Sequence, residues 1–116
     1  MLIVSGCTTS NGGTEGNVIV ISDGGTVDTA ICQQKGIADK IVVFHSPTCP
    51  ACRQTLPVLE EIEAEYDYDF MFIDLSTERD AAEELGIMPT HIPTILIKCK
   101  AYTGFREKSE FLSLMG

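Results

Sequence analysis

The chain has 116 residues, 44% of them apolar, and this length allows one domain with an ordinary core. Eight basic against 17 acidic residues give a formal charge of −9. Such a charge repels nucleic acid and anionic membrane surfaces, so we expect proteins or small thiols as partners and no nucleic acid. No apolar run is long enough to span a bilayer, so we expect the folded part to be soluble.

Residues 1–16 are predicted to precede the folded domain, which we place at 17–116. Val4-Ser5-Gly6-Cys7 resembles a lipoprotein processing box, in which cleavage before the cysteine frees it to carry lipid. The polar residues that follow have the composition of a flexible linker. Only three residues precede the box, so this segment is predicted to be the remnant of a truncated signal. Cys7 is therefore a candidate lipidation site that would tether an extracytoplasmic domain to the membrane. The alternative is a disordered tail with an incidental thiol, on a cytoplasmic protein.

After the linker, short apolar runs alternate with amphipathic stretches, a pattern typical of an α/β fold with helices covering a central sheet. Gly86 is predicted to end a helix, and Pro57 to kink one. The predicted order is βαβαβαββα, with a central mixed β-sheet flanked by helices. Strands are predicted at 18–21, 41–44, 70–73, 94–97 and 101–103. The first helix is predicted to begin at a cap, either Thr26 or Asp28, and to run to residue 34. Further helices are predicted at 50–66, 78–85 and 108–115.

The motif that carries chemistry is Cys49-Pro50-Ala51-Cys52, where the strand at 41–44 leads into a helix. Unpaired backbone donors and the dipole at a helix N-terminus stabilise negative charge, so a thiolate at Cys49 is favoured. Pro50 suits the first helical position because it needs no donor there. The spacing lets Cys52 reach back to Cys49. We predict that Cys49 attacks and Cys52 resolves the mixed disulfide, with no cofactor besides this redox-active pair.

With this motif in this place, the sequence from about residue 17 onward resembles the thioredoxin family. Pro57 stands where that family usually kinks its active-site helix. Ile92-Pro93-Thr94 resembles the family's cis-proline loop, in which Ile92 would present backbone groups to an extended substrate. Met88-Pro89-Thr90 is the alternative, but no strand follows it directly. The resemblance implies a thioredoxin-like fold. It also implies a monomer that exchanges with protein thiols or disulfides and is recycled by a reductase or a membrane electron carrier.

Departures from the family's pattern bear on how the site works. Thr48 replaces the aromatic residue usual before the first active-site cysteine, and the dipeptide is Pro-Ala rather than Gly-Pro. Val43 replaces the family's buried proton-shuttling acid, and Phe70 the lysine near it. These losses argue against a general cytoplasmic reductant, and the proton of Cys52 must leave through water or another group. The direction of electron flow stays open between a reductase or isomerase and a disulfide-donating oxidase.

Four further side chains could react but have simpler interpretations. His45 and His91 could come near the redox pair and respond to pH, yet core packing for His45 and a loop position for His91 suffice. Cys32 and Cys99 are interpreted as buried free thiols, and a disulfide between them in an oxidising compartment is the alternative.

Two functions without redox turnover remain as alternatives. Cys49 and Cys52 could carry zinc or copper(I), but a structural zinc site needs four ligands and the sequence has no second cysteine pair, so we predict no metal. The Cys49–Cys52 disulfide could instead be structural, in a domain that only binds a partner. A structural bond would be buried and hard to reduce, whereas the position between strand and helix predicts an exposed and labile one.

Overall fold

The computed structural model describes residues 18–116, so the predicted linker and Cys7 lie outside the described residues. Within that part, no helix is long and apolar enough to cross a membrane. The elements in chain order are β1 (Ile19–Ile21), α1 (Thr29–Gln34), β2 (Lys40–His45), α2 (Pro50–Glu65), β3 (Asp69–Asp74), α3 (Arg79–Leu85), β4 (Ile87–Pro89), β5 (Thr94–Ile97), β6 (Lys100–Thr103) and α4 (Lys108–Met115).

The predicted mixed sheet is confirmed, and its strands lie in the order β3-β2-β5-β6. β2 pairs in parallel with β3 and antiparallel with β5, and β5 pairs antiparallel with β6. The continuous apolar run of β2, from Ile41 to Phe44, is buried throughout, as expected of a strand covered on both faces. β1 pairs in parallel with β4 in a separate two-stranded sheet.

Helices cover both faces of the four-stranded sheet. Successive residues of β2 point to opposite faces. Val42 and Phe44 join a buried cluster with Cys32 of α1 and Ala82 of α3. On the opposite face, α2 and α4 supply the cover, in a cluster that contains Ile41, Val43, Leu59, Ile62, Phe111 and Met115. Fully burying each large apolar side chain contributes about 1.5–3 kcal/mol, so the two clusters hold the layers together.

Helix ends follow the local capping residues. The Asp28 carboxylate accepts the backbone N–H of Ala30 at 2.8 Å and so caps α1, which makes Asp28 rather than Thr26 the cap of the two predicted. Gly86 ends α3 with φ at 81°, a left-handed conformation that favours glycine. Pro57 lies inside α2, which continues to Glu65, and the kink there stays a prediction.

β4 is a strand that the sequence analysis missed, so the order is βαβαβαβββα rather than βαβαβαββα. Ile87–Pro89 is three residues long and ends at a proline, which leaves no alternation pattern to indicate a strand. β4 is a strand because it pairs with β1. The backbone N–H of Thr90 extends that pairing by donating to the Ile21 carbonyl at 2.9 Å. Tertiary contact, rather than local propensity, decides this element.

Cys32 and Cys99 form a disulfide, so the interpretation of both as buried free thiols is wrong. Their Cα atoms are 6.4 Å apart, a separation that a disulfide can span. Cys99 follows Lys98 in the two-residue turn between β5 and β6, and φ is positive at both, 53° at Lys98 and 67° at Cys99. Two-residue turns with positive φ at both positions usually have the sequence Asn-Gly. The Lys-Cys sequence therefore did not indicate this turn or the direction in which the Cys99 side chain points.

Candidate active site

Cys49 lies between the end of β2 and the start of α2, where it is the N-cap residue of the helix. Its Sγ accepts the backbone N–H of Cys52 at 3.2 Å. Pro50 is the first residue of α2, where its missing donor is not needed. Ala51 follows and is half-buried. A sulfur in this position can carry negative charge, because a backbone N–H and the helix dipole both point towards it.

The two cysteines of the motif differ in exposure. Cys49 is half-buried, whereas Cys52 is fully buried on the inner side of α2. The pKa of the Cys52 thiol is raised to about 12, first by burial and second by the hydrogen bond with Cys49, while a hydrogen bond with the Ser46 backbone acts against the rise. The charges of Cys49 and Asp74 add to the rise. In the reduced protein Cys52 is therefore held as a neutral thiol.

The loop between β4 and β5 packs against Cys49. The Ile92–Pro93 peptide bond is cis, and it is the one cis bond in the part of the chain that the structure describes. The Cys49 thiol donates to the Ile92 carbonyl oxygen at 3.6 Å. Pro93 and Thr94 are buried behind it. The loop residues singled out by sequence thus meet the cysteine motif, while the alternative proline, Pro89, lies within β4.

The rim of the site beside Cys49 is polar. The side-chain oxygens of Ser46 and Thr48 lie 3.0 Å apart, and the backbone N–H of Cys49 donates to the Ser46 carbonyl at 3.2 Å. Ser46 is buried, whereas Pro47 and Thr48 are exposed. A small hydroxyl side chain therefore stands where the family usually has an aromatic ring.

His45 ends β2 directly before this rim. Its ring packs edge-on against Phe72, with the ring centroids 6.2 Å apart. Its Nδ1 atom is buried and finds no hydrogen-bond partner among residues 18–116. The other histidine, His91, is exposed, and its Nδ1 lies 3.1 Å from the Thr90 hydroxyl. Core packing alone accounts for the ring of His45 but leaves its buried nitrogen unexplained.

Asp74 is a residue of the site that the sequence analysis missed. It ends β3 and stands opposite His45 in the parallel register of the two strands. Hydrogen bonds from the side chain and backbone of Ser76 lower the pKa of Asp74, and the charge of His45 lowers it further. The sequence did contain an indication of this pairing, because each of two neighbouring predicted strands is followed directly by an ionisable residue.

Residues 18–116 contain no group of three or more His, Cys, Asp or Glu side chains placed to hold a metal ion. The two sulfurs of the motif are the metal-binding atoms that the carrier hypothesis would use, and two ligands fall short of the four of a structural zinc site.

A family model described as thioredoxin matches residues 20–115. The chain belongs to the thioredoxin family. That match runs from the second residue of β1 to the end of α4, and it includes the motif at Cys49 and the loop at Pro93. Thioredoxins are thiol-disulfide oxidoreductases, which agrees with the general chemistry that the motif predicts.

Individual relatives match parts of the chain. NADPH-dependent thioredoxin reductase 3 of Arabidopsis thaliana is 40% identical over 52 residues, which are 43% of this chain and 10% of that protein. A probable thioredoxin of Methanothermobacter marburgensis is 38% identical over 60 residues, which are 50% of this chain and 68% of that protein. The chain thus spans about a tenth of the plant relative and about two thirds of the archaeal one.

Solved structures share the fold. The reduced thioredoxin pre-protein of Schistosoma mansoni matches with a TM-score of 0.51 at 21% identity, covering 84% of this chain and 94% of that one. Oxidised mitochondrial thioredoxin 3 of Saccharomyces cerevisiae matches with a TM-score of 0.50 at 15% identity, covering 88% and 97%. At these identities the likeness establishes the thioredoxin-like fold.

Proposed function

We propose that this protein is a thiol-disulfide oxidoreductase that exchanges disulfides with protein substrates through Cys49 and Cys52. The observation that carries the proposal is the contrast between the two sulfurs. Cys49 is half-buried at a helix N-terminus and accepts a backbone N–H, whereas Cys52 is fully buried and one turn further along. A substrate can reach the sulfur of Cys49. The buried sulfur of Cys52 is accessible only to Cys49.

In the reducing direction, the Cys49 thiolate attacks a substrate disulfide. A bond forms between Cys49 and one substrate sulfur, and the other substrate sulfur leaves as a thiolate. Cys52 then loses its proton and attacks Cys49, which forms the Cys49–Cys52 disulfide and releases the second substrate thiolate. The substrate gains two electrons and the cysteine pair loses two. The oxidising direction is the same sequence in reverse.

The loop of Ile92, Pro93 and Thr94 is proposed as the substrate-binding edge. The Ile92 carbonyl lies 3.6 Å from the Cys49 sulfur, so a peptide that pairs with this backbone would bring its own sulfur next to Cys49. Thr94 supports the loop by donating its hydroxyl to the His91 carbonyl. The proposal therefore includes an extended peptide segment as the form in which substrates are bound.

We also propose that the protein works outside the cytoplasm, tethered through a lipid on Cys7, and is recycled by a membrane electron carrier. The Cys32–Cys99 disulfide supports an oxidising compartment, because cytoplasmic proteins rarely hold such bonds. The test is incorporation of a clickable fatty acid in the native cell, with Cys7→Ser as the control. Equal fatty-acid labelling of the wild type and Cys7→Ser, or no labelling of either, would contradict lipidation of Cys7 and favour the cytoplasmic alternative.

The reduction potential of the Cys49–Cys52 pair tests the enzymatic proposal. The protein is equilibrated in a series of thiol buffers, and peptide mass spectrometry separates this pair from Cys32–Cys99, with Cys49→Ser as the control. A potential near about −270 mV would make the pair a reductant, and one near about −120 mV a disulfide donor. A pair that no buffer reduces would leave a domain with a structural disulfide.

A further inference from the structure

Resolution of the mixed disulfide requires a proton acceptor for Cys52. Burial, assisted by the hydrogen bond with Cys49, holds this thiol neutral with its pKa near 12, yet it must become a thiolate to attack. The position that carries a buried acid in related proteins is Val43 here, and it is fully buried among apolar side chains. The proton must leave through water or another group, and a side chain that takes it must lie on the face of the sheet that α2 covers.

Strand alternation places His45 on that face. Val43 belongs to the cluster under α2 and α4, and His45 is two residues further along β2, so both side chains point the same way. The contact with Phe72, a member of the same cluster, agrees with this orientation. His45 stands at the end of β2 from which the chain runs into the cysteine motif. It is therefore nearer than Val43 to the motif along the chain.

Cys52 lies on the buried side of α2, the helix that covers the same face of the sheet. The buried residues of α2 recur as Cys52, Thr55, Leu59 and Ile62, a stripe along one side of the helix. Leu59 and Ile62 pack in the same cluster as Val43, so Cys52 is the end of this stripe nearest to the motif. Half-buried His45, at the end of the strand, and Cys52, at the start of the helix, thus lie at the same corner of the layer between sheet and helix.

Asp74 completes the corner from β3. It pairs with His45 in register, and parallel pairing puts the two side chains on the same face. Its Oδ1 accepts the Ser76 hydroxyl at 2.6 Å, which anchors the carboxylate. The ionisable groups around this corner are Cys49 at the N-cap of α2, Cys52 from α2, Asp74 from β3, and Glu78 next to α3, whose carboxylate accepts the Asp74 backbone N–H at 3.0 Å.

We propose that His45 accepts the proton of Cys52 at its unpartnered Nδ1 and that Asp74 stabilises the imidazolium that forms. The proposal rests on the oxidoreductase function above. As the proton moves from the Cys52 sulfur to Nδ1, the Cys52 sulfur bonds to Cys49 and the substrate sulfur leaves as a thiolate. The imidazolium then returns the proton to solvent. Histidine is suited to this step because it exchanges a proton near neutral pH.

The test separates the attacking step from the resolving step with an aromatic disulfide, dithionitrobenzoate, as substrate. Attack by Cys49 releases one thionitrobenzoate and leaves the other on Cys49. Attack by Cys52 then releases the second and forms the Cys49–Cys52 disulfide. Both releases are followed by stopped-flow absorbance from pH 5 to 9, with the Cys32–Cys99 disulfide left oxidised.

His45→Gln and His45→Phe are expected to slow the second release about a hundredfold at pH 7 and to leave the first release close to the wild-type rate. The phenylalanine variant keeps a ring against Phe72, so a slow second release in both variants is not a packing effect. Asp74→Asn is expected to slow the second release by a smaller factor. Asp69→Asn is the matched control, because this exposed carboxylate at the other end of β3 pairs with Lys40 at 2.7 Å, and it should change neither rate.

The outcomes distinguish this inference from the function on which it rests. A second release that keeps the wild-type rate and pH profile in both His45 variants would overturn the role of His45. A loss in Asp74→Asn without a loss in His45→Gln would overturn it too, since the carboxylate would then act alone. Absence of the first release in the wild type, or a second release that persists in Cys52→Ser, would instead contradict the proposed function.

Discussion

The backbone N–H of Cys52 donates to the sulfur of Cys49 across 3.2 Å, so the fully buried residue of the pair holds the sulfur of the half-buried one in place. This contact depends on Cys49 being the N-cap residue and Cys52 being in the first turn of α2. It keeps the two sulfurs close while they differ in exposure.

The buried thiol of Cys52 predicts a dependence of stability on pH in the reduced protein. Burial first, and the hydrogen bond with Cys49 second, raise its pKa from 9.0 to about 12. The folded state therefore holds this proton more tightly than the unfolded chain. The resulting stabilisation is complete below pH 9.0 and is lost as the pH rises towards 12.

We expect the free energy of unfolding of the reduced protein to fall more steeply above pH 9.0 than that of Cys52→Ala. Urea denaturation in the presence of a phosphine reductant measures both slopes, and the difference removes the contribution of lysines and tyrosines common to the two proteins. Equal slopes would show that the buried thiol titrates as it does in an unfolded chain.

The Cys32–Cys99 disulfide is predicted to stabilise the fold without taking part in exchange. It joins residues 67 apart in sequence, and a disulfide typically contributes about 2–4 kcal/mol by constraining the unfolded chain. The double variant Cys32→Ala/Cys99→Ala should lose about this much in chemical denaturation. Its thionitrobenzoate release should match the wild type, and a slower release would mean that this bond also shapes the active site.

Phe111 is predicted to be the main anchor of α4. It is fully buried in the cluster with Leu59 and Ile62 of α2, so truncation leaves a cavity. Phe111→Ala should lower the free energy of unfolding by about 3–5 kcal/mol. Phe105→Ala is the control, because 45% of that side chain is exposed, and it should cost less than about 0.5 kcal/mol. Similar losses in the two variants would contradict this assignment.

The Asp28 cap is predicted to stabilise α1, the helix that carries Cys32. Its carboxylate accepts the Ala30 backbone N–H at 2.8 Å. Asp28→Ala should reduce stability by about 1 kcal/mol, as measured by thermal unfolding, and Asp28→Asn or Asp28→Ser should keep most of it. Asp39→Ala, an exposed acid outside the helices, is the matched control. A loss of similar size at Asp39 would point to overall charge rather than capping.

The parts of the fold that depend on local sequence were predictable. The β-branched run at 41–44, the Gly86 helix end and the Asp28 cap each act through the chain's own backbone, so their effects appear in a short window of sequence. The cysteine motif belongs to this group. Its chemistry follows from being at a helix N-terminus, and Pro50 marks that terminus directly.

The rest was decided by contacts between distant segments. β4 exists because β1 pairs with it, and the Lys98-Cys99 turn adopts a backbone that its residue types do not favour. The turn and α1 together bring Cys99 to Cys32, an arrangement that spacing alone could not indicate. The parallel register that sets Asp74 beside His45 is likewise a property of two strands. Sequence by itself determined the fold class and the place of the cysteine motif at a helix N-terminus, because element patterning and a helix start are visible in short windows of sequence. Only the tertiary structure decided that Asp74 stands beside His45 and that Cys99 meets Cys32, because both depend on how strands and helices pack.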